Sequence, residues 1–231
     1  MPPTGIPQWL VQPETIPSTT VVPVDSDTIP LSLKTRDKCR KAGITEFFAV
    51  QAAVIPRLLH MARNVTTRHK LPDLCVSAPT GSGKTLAYVL PLVEKLQTRV
   101  VARLRAVVVV PTRDLAAQVK ATFDQYTSDS ALQVGLATGQ HTFAQEQKML
   151  CDTDGPLLVG GASLVDILVC TPGRLVDHLA NTRNFTLQHL EFLVIDEADR
   201  LLHQNYSDWL PRVLEAVDTH TTTPPSTFTR D

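Results

Sequence analysis

Five short apolar runs, Leu74–Ser77, Ala106–Val110, Leu132–Ala137, Asp166–Cys170 and Phe192–Ile195, are spread along the chain. They are rich in Val, Leu and Ile without polar alternation, the pattern of strands buried on both faces. Between them lie longer stretches with helical spacing. In Thr85–Gln97, Leu86, Leu90 and Val93 share a face, and in Arg113–Tyr126, Leu115, Val119 and Phe123 recur about four apart. Alternation of this kind predicts an α/β fold, a mostly parallel sheet with helices on both faces. Pro91 inside the first of these helices removes one backbone hydrogen bond and predicts a kink.

The pattern changes at both ends. Seven of the 17 prolines fall within the first 30 residues, mixed with Thr and Ser, so residues 1–34 read as an extended Pro/Thr-rich arm. Trp9 and Leu10 within it leave two readings open, a segment that docks on a groove and a loosely held tail. Residues 35–217 form the globular lobe, and no internal repeat divides it. Residues 218–231, Thr-rich with Pro224 and Pro225 adjacent, read as a disordered or truncated end.

At 231 residues and 43% hydrophobic, the chain has material for one sizeable core. A net charge of −1 neither points to a nucleic-acid partner nor excludes one, so any phosphate site must show itself locally. The absence of a long apolar run and of a secretory start leads to the expectation of a soluble, intracellular chain with no membrane partner. Cys39, Cys75, Cys151 and Cys170 fit neither zinc-ligand spacing nor a compact disulfide framework. Cys75 and Cys170, inside apolar runs, are expected to be buried and inert.

The strongest local signal is Ala78-Pro79-Thr80-Gly81-Ser82-Gly83-Lys84-Thr85, after one strand-like run and before a helix. Gly81 and Gly83 allow a tight turn in which the N–H groups of Thr80 to Thr85 converge on phosphate oxygens at the positive end of a helix dipole. Lys84 supplies a full charge for the outer phosphates, and the Thr85 hydroxyl is placed to ligate Mg²⁺. Ala78 stands where the general pattern has glycine.

A bound nucleoside triphosphate needs a metal, and the metal needs a carboxylate at a neighbouring strand end. Asp196 closes the run Phe192–Ile195 and meets that need, while Glu197 can orient or deprotonate a water that attacks the γ-phosphate in line. The competing reading of each motif is structural, a glycine turn and a charged strand end.

Asp196-Glu197-Ala198-Asp199 together with Ala78–Thr85 makes the chain resemble the first lobe of a DEAD-box ATP-dependent RNA helicase. Pro111-Thr112-Arg113-Asp114-Leu115-Ala116 and Thr171-Pro172-Gly173-Arg174 match two further elements of that family, in its order. The resemblance covers about Gly43 to Val217 and implies a RecA-like P-loop fold, ATP and Mg²⁺ as cofactors, and RNA as partner. It assigns Asp199 to coupling with a second RecA-like lobe that this chain does not hold. Thr112, Arg113, Thr171, Gly173 and Arg174 open helices after strands, where free N–H groups favour an anion, and can grip successive phosphates of one RNA strand. Taken singly, the same residues also read as ordinary caps and surface ion pairs.

The family reads adenine through a nine-residue element, whose ends here are Gly43 and Gln51. Gln51 carries over as a cofactor-binding residue. Ile44 replaces the aromatic, Phe47 and Phe48 replace Pro and a hydroxyl residue, and no aromatic stands at Ser26 upstream. Both phenylalanines are expected to pack in the core. The pair before Gln51, with the Trp9 arm, is similar to the subgroup that works in nucleolar assembly of the large ribosomal subunit, which implies ribosomal RNA and a nuclear or nucleolar place. Around Thr138-Gly139 the family has a Gly-Gly RNA contact, and after Gly139 Gln140 takes the second glycine's place. The family's Ser-Ala-Thr element and the second lobe's arginines do not occur in these 231 residues, so weak hydrolysis and no unwinding are expected of them alone. The alternative, if the chain is complete, is a non-catalytic ATP- and RNA-binding module. A metabolic phosphotransferase on the same turn lacks an arginine-rich lid.

Overall fold

A computed structural model describes residues 12–63, 73–158, 160–203 and 208–218. The chain falls into two units, residues 1–94 and 95–231. In the first, strand β1 (Val21–Pro23) pairs antiparallel with β2 (Glu46–Phe48), Val21 opposite Phe48 and Pro23 opposite Glu46. Helix α1 (Leu33–Lys41) follows β1 and starts at Ser32, whose hydroxyl accepts from the Thr35 N–H. Glu94 draws that cap down: its carboxylate accepts from the Ser32 N–H at 3.1 Å, the Ser32 hydroxyl at 3.0 Å and the Thr35 hydroxyl at 2.5 Å. Helices α2 (Ala49–Arg63) and α3 (Lys84–Leu96) complete the unit, with Val50, Val54 and Ala87 in a shared apolar cluster.

Residues 21–34 correct the extended-arm expectation. Besides forming β1, this segment buries Val24, Ile29 and Leu31. Its backbone has little regular pairing, and Arg36 substitutes for a ladder by donating to the carbonyls of Asp25, Ser26, Ile29 and Leu31 at 2.8–3.2 Å. Proline density hid three core residues and the guanidinium that holds them. Trp9, Leu10 and residues 219–231 lie outside the described residues.

The run Leu74–Ser77 does not form a strand. A buried strand needs a ladder on at least one side, and among the described residues no strand pairs with this run, so Leu74 and Val76 stay exposed. Cys75 is accordingly exposed, contrary to expectation. Cys170 is fully buried as expected, and burial pushes its thiol up.

The other four runs become the sheet of the second unit. Strands β3 (Ala106–Val109), β4 (Val134–Ala137), β5 (Ile167–Cys170) and β6 (Phe192–Ile195) lie in the order β4-β5-β3-β6, and every pairing is parallel. Register is set so that Val108 faces Val169 on one side and Val194 on the other. All of β3 and β5 is buried, which is why these runs show no polar alternation. Helices surround the sheet: α4 (Arg113–Thr127), α5 (Phe143–Leu150), α6 (Pro172–Asn181), α7 (Ala198–His203) and α8 (Trp209–Asp218). Helix α4 inserts Ala116, Val119, Phe123 and Tyr126 at helical spacing, while Trp209 and Val213 of α8 join the cluster that holds Val107, Val109, Leu168 and Leu175. Because the strands are parallel, the segments after β3, β5 and β6 emerge on one edge of the sheet, where ligands meet open α/β folds.

Candidate nucleotide and RNA site

In the first unit the turn 79–83 delivers the chain into α3. Gly81 and Gly83 have φ of 76° and 87°, left-handed values that a side chain resists. At Gly83 space is also short, since a Cβ there would lie 2.2 Å from Gln51 Nε2. Gln51 is buried, and each end of its amide makes one bond: its Oε1 accepts from the Phe48 N–H at 2.8 Å and its Nε2 donates to the Gly83 carbonyl at 3.2 Å. It thus ties β2 to the turn. The Lys84 ammonium donates to the carbonyls of Ala78 and Pro79 at 2.7 and 2.9 Å, closing the turn on itself. The Ser82 hydroxyl oxygen is buried without a hydrogen-bond partner. A tight left-handed turn at a helix start, with a lysine and an orphaned hydroxyl, fits a phosphate chain as ligand.

Phe47 and Phe48 divide. Phe47 is completely buried, as expected, but Phe48 is 54% exposed and corrects the core assignment. Successive residues of a strand point to opposite faces, so both rings could not enter one core.

On the sheet edge of the second unit three strand ends stand side by side. After β3, Thr112 caps α4, its hydroxyl accepting from the Leu115 N–H at 3.3 Å, so this side chain does serve as a cap. After β5, Thr171 precedes α6 without a side-chain cap bond, and Pro172 takes the first helical position. After β6, the Asp196 N–H donates to the Val109 carbonyl at 3.0 Å, which places Asp196 beside the end of β3. Its Oδ1 accepts from the Glu197 N–H at 2.9 Å, and Glu197 itself has φ of 51°. The Glu197 carboxylate pairs with Arg200 at 3.0 Å, and Asp199 lies in the first turn of α7. Among the described residues no three His, Cys, Asp or Glu side chains gather as a metal cage. Magnesium with a nucleotide needs none, since phosphates and waters supply most of its ligands.

The Arg174 and Arg113 guanidinium groups meet over Gly139, whose φ is 76°. A Cβ at that position would lie 3.6 Å from Arg113 Nη2 and 3.7 Å from Arg174 Nε. Under them is Glu146, a carboxylate on α5 that the sequence did not single out. It is 1% exposed. Its Oε1 accepts from the N–H groups of Thr138 and Gly139 at 3.2 and 2.8 Å, and its Oε2 meets Arg174 Nε at 2.6 Å and His178 Nε2 at 3.1 Å. Burial acts to raise the Glu146 pKa, but the bonds from Arg174, Gly139 and His178 outweigh it and the net direction is down. His178, also buried, is held below its ordinary value by desolvation, against the pull of Glu146. The ring leans on Phe143 at 4.7 Å, and Arg174 lies over the same Phe143 ring at 5.0 Å.

The DEAD/DEAH box helicase family profile matches residues 48–229. The chain belongs to the DEAD-box helicase family. It is 47% identical over 213 residues to the ATP-dependent RNA helicase dbp6 of Schizosaccharomyces pombe, covering 92% of this chain and 34% of that protein. Against the human ATP-dependent RNA helicase DDX51 the identity is 45% over 219 residues, covering 92% and 32%. Among solved structures, the yeast DEAD-box splicing factor Prp28 shares 26% identity with a TM-score of 0.67, over 89% of this chain and 46% of that one. The chain therefore spans about a third of the length of the curated relatives it matches, and its parallel sheet with surrounding helices is the RecA-like fold of a DEAD-box lobe.

Seen as a DEAD-box lobe, the second unit gathers Thr112, Arg113, Thr171, Gly173, Arg174, Asp196 and Glu197 at successive strand ends, and the first unit gathers Gln51, Gly83 and Lys84. Glu146 and His178 escaped sequence reading because a lone Glu or His on an amphipathic helix has no spacing signature. The capping box of α5, Thr142 with Gln145, marks only where that helix begins. No described helix is long and apolar enough to cross a membrane.

Proposed function

We propose that this lobe binds ATP with Mg²⁺ through the turn of the first unit and the sugar-phosphate backbone of single-stranded or duplex RNA through the sheet edge of the second, as part of an RNA-dependent ATPase. The observation that carries the reading is the row of strand ends, where helix starts with Arg113 and Arg174 adjoin the acidic Asp196-Glu197 pair. Thr80 to Lys84 would hold the phosphates, with Lys84 turning from its carbonyl partners to the outer phosphate oxygens. Gln51 supports the site by holding the Gly83 carbonyl. Thr85 and Asp196 are the residues that would hold the metal, which when bound supplies charge neutralisation at the β- and γ-phosphates. Glu197 accepts a proton from, or orients, the attacking water, and Asp199 links this centre to a second RecA-like lobe.

RNA is gripped without reading bases, by Thr112, Arg113, Thr171, Gly173 and Arg174, and is distinguished from DNA at the 2′-hydroxyl. Ribosomal RNA processing in large-subunit assembly, in the nucleolus, is the cellular setting we propose. It rests on the subgroup resemblance carried by Phe47-Phe48 before Gln51 together with the Trp9 arm.

Titration of the purified 231 residues with a fluorescent ATP analogue and a labelled oligouridylate tests the reading. Three phosphate contacts predict that a fourfold rise in salt weakens RNA binding about 20-fold. Binding that ignores salt, or that survives replacement of both Arg113 and Arg174 by Gln, refutes the RNA site. Turnover by these residues alone should be weak, and vigorous RNA-stimulated hydrolysis would contradict the dependence on a second lobe.

A further inference from the structure

Two successive backbone N–H groups converging from a left-handed turn form a nest that binds an anion. At Thr138-Gly139 that nest is filled from within, by Glu146 Oε1 at 3.2 and 2.8 Å. The remaining oxygen holds Arg174 at 2.6 Å through Nε, the inner nitrogen of the guanidinium. The outer nitrogens make longer contacts, Nη2 to the His141 carbonyl at 3.4 Å and Nη1 to Asp177 at 3.7 Å. Phe143 supports the guanidinium face. His178 contacts the same Glu146 oxygen, and its other nitrogen meets the Thr182 hydroxyl at 2.8 Å, so the carboxylate itself is braced.

We propose that Glu146 is the positioning residue of the RNA-backbone site: it locks the 138–139 turn and Arg174 to each other, so that Arg174 meets a strand phosphate with its two outer nitrogens. The proposal rests on the reading of Arg174 as a phosphate contact. It makes the Thr138 and Gly139 amides internal struts rather than RNA contacts. A carboxylate bonded directly to a phosphate-binding arginine is tolerated because its charge is already matched by the nest and by Nε.

The test is a double-mutant cycle on the full 231-residue chain, read by anisotropy of a fluorescein-labelled oligouridylate across a salt series. Arg174→Gln should weaken binding about tenfold. Glu146→Gln keeps an oxygen for the two N–H groups but turns an amide NH₂ toward Arg174, and should weaken binding about fivefold, with the salt slope falling by about 0.7. The double variant should match Arg174→Gln alone within about twofold, because both act through one group. Arg174→Lys keeps the charge but not the Nε anchor, and should lose affinity as Glu146→Gln does. This variant decides the matter if Glu146→Gln melts below the assay temperature. Wild-type or tighter binding by Glu146→Gln, losses that multiply in the double variant, or full affinity of Arg174→Lys overturns the proposal. A merely structural Glu146 would lower the melting temperature and leave the salt slope unchanged, which also overturns it. If Arg174→Gln itself binds normally, the phosphate role of Arg174 fails and the positioning role falls with it.

Discussion

Two of the left-handed glycine turns, one in each unit, have similar backbone and opposite economy. Gly81 and Gly83 in one, and Gly139 in the other, all sit at φ of 76–87°. Both turns face a cation. In the first, Lys84 bonds to the turn's own carbonyls, and the anion that the amides suit has to come from a ligand. In the second, the chain supplies the anion as Glu146, and the cation Arg174 bonds to that anion instead. At these two turns the nearest carboxylate decides whether the converging N–H groups make a binding site or a brace.

Replacing the internal anion should have the largest effect. Glu146→Ala strands Arg174 and two N–H groups in a buried setting, and should cost about 3–5 kcal/mol in chemical denaturation. A cost under about 1 kcal/mol would mean that the nest is not a brace. In the other turn, Lys84→Ala should leave denaturation nearly unchanged, since its bonds are to part-exposed carbonyls, yet weaken ATP-analogue binding about hundredfold. If Lys84→Ala instead unfolds the unit, both turns are braces.

The glycines sharpen the contrast. Gly81→Ala meets nothing within 4 Å and should cost only the left-handed strain, about 1–2 kcal/mol. Gly83→Ala adds displacement of Gln51 and should exceed it in a thermal melt. Equal costs would show that Gln51 yields freely. The smallest effect concerns pH. His178 is lowered from 6.5 when folded, so the unfolded chain takes up its proton first. The stability this ring contributes is complete above about pH 6.5 and declines as pH falls below it. Glu146, lowered from 4.5, adds a further loss only at more acidic pH, as its folded value is approached. Melting curves of the wild type and His178→Gln between about pH 7.5 and 5.5 should converge on acidification. Parallel curves would place His178 outside the linkage.

Four of the five apolar runs were legible as strands, most plainly β3 and β5, where burial on both faces writes itself as a run of Val, Leu and Ile, while β4 and β6 at the two edges of the sheet are only partly buried. Leu74–Ser77 carries the same script without a ladder among the described residues, which no single-strand pattern can reveal. Motif residues such as Thr112, Arg174 and Asp196 were legible because the family's motifs place their types just after strands. The partners that hold them were not. Arg36 anchoring residues 25–31, Gln51 tying β2 to Gly83, and Glu146 bracing Arg174 all act across gaps of chain that only folding closes. In each case the side chain satisfies backbone groups of an irregular segment, a need invisible until that segment has its shape.

Glu197 is a non-glycine residue with φ of 51°, a conformation that costs about 1 kcal/mol or more and that Asn or Gly would relieve. A library randomised at position 197 should therefore sort in opposite directions under two selections. Survival of heating would enrich Gly and Asn, and growth that depends on nucleotide turnover would enrich Glu, so the rank order of variants at this one position is a direct record of what the sheet edge has been selected to do.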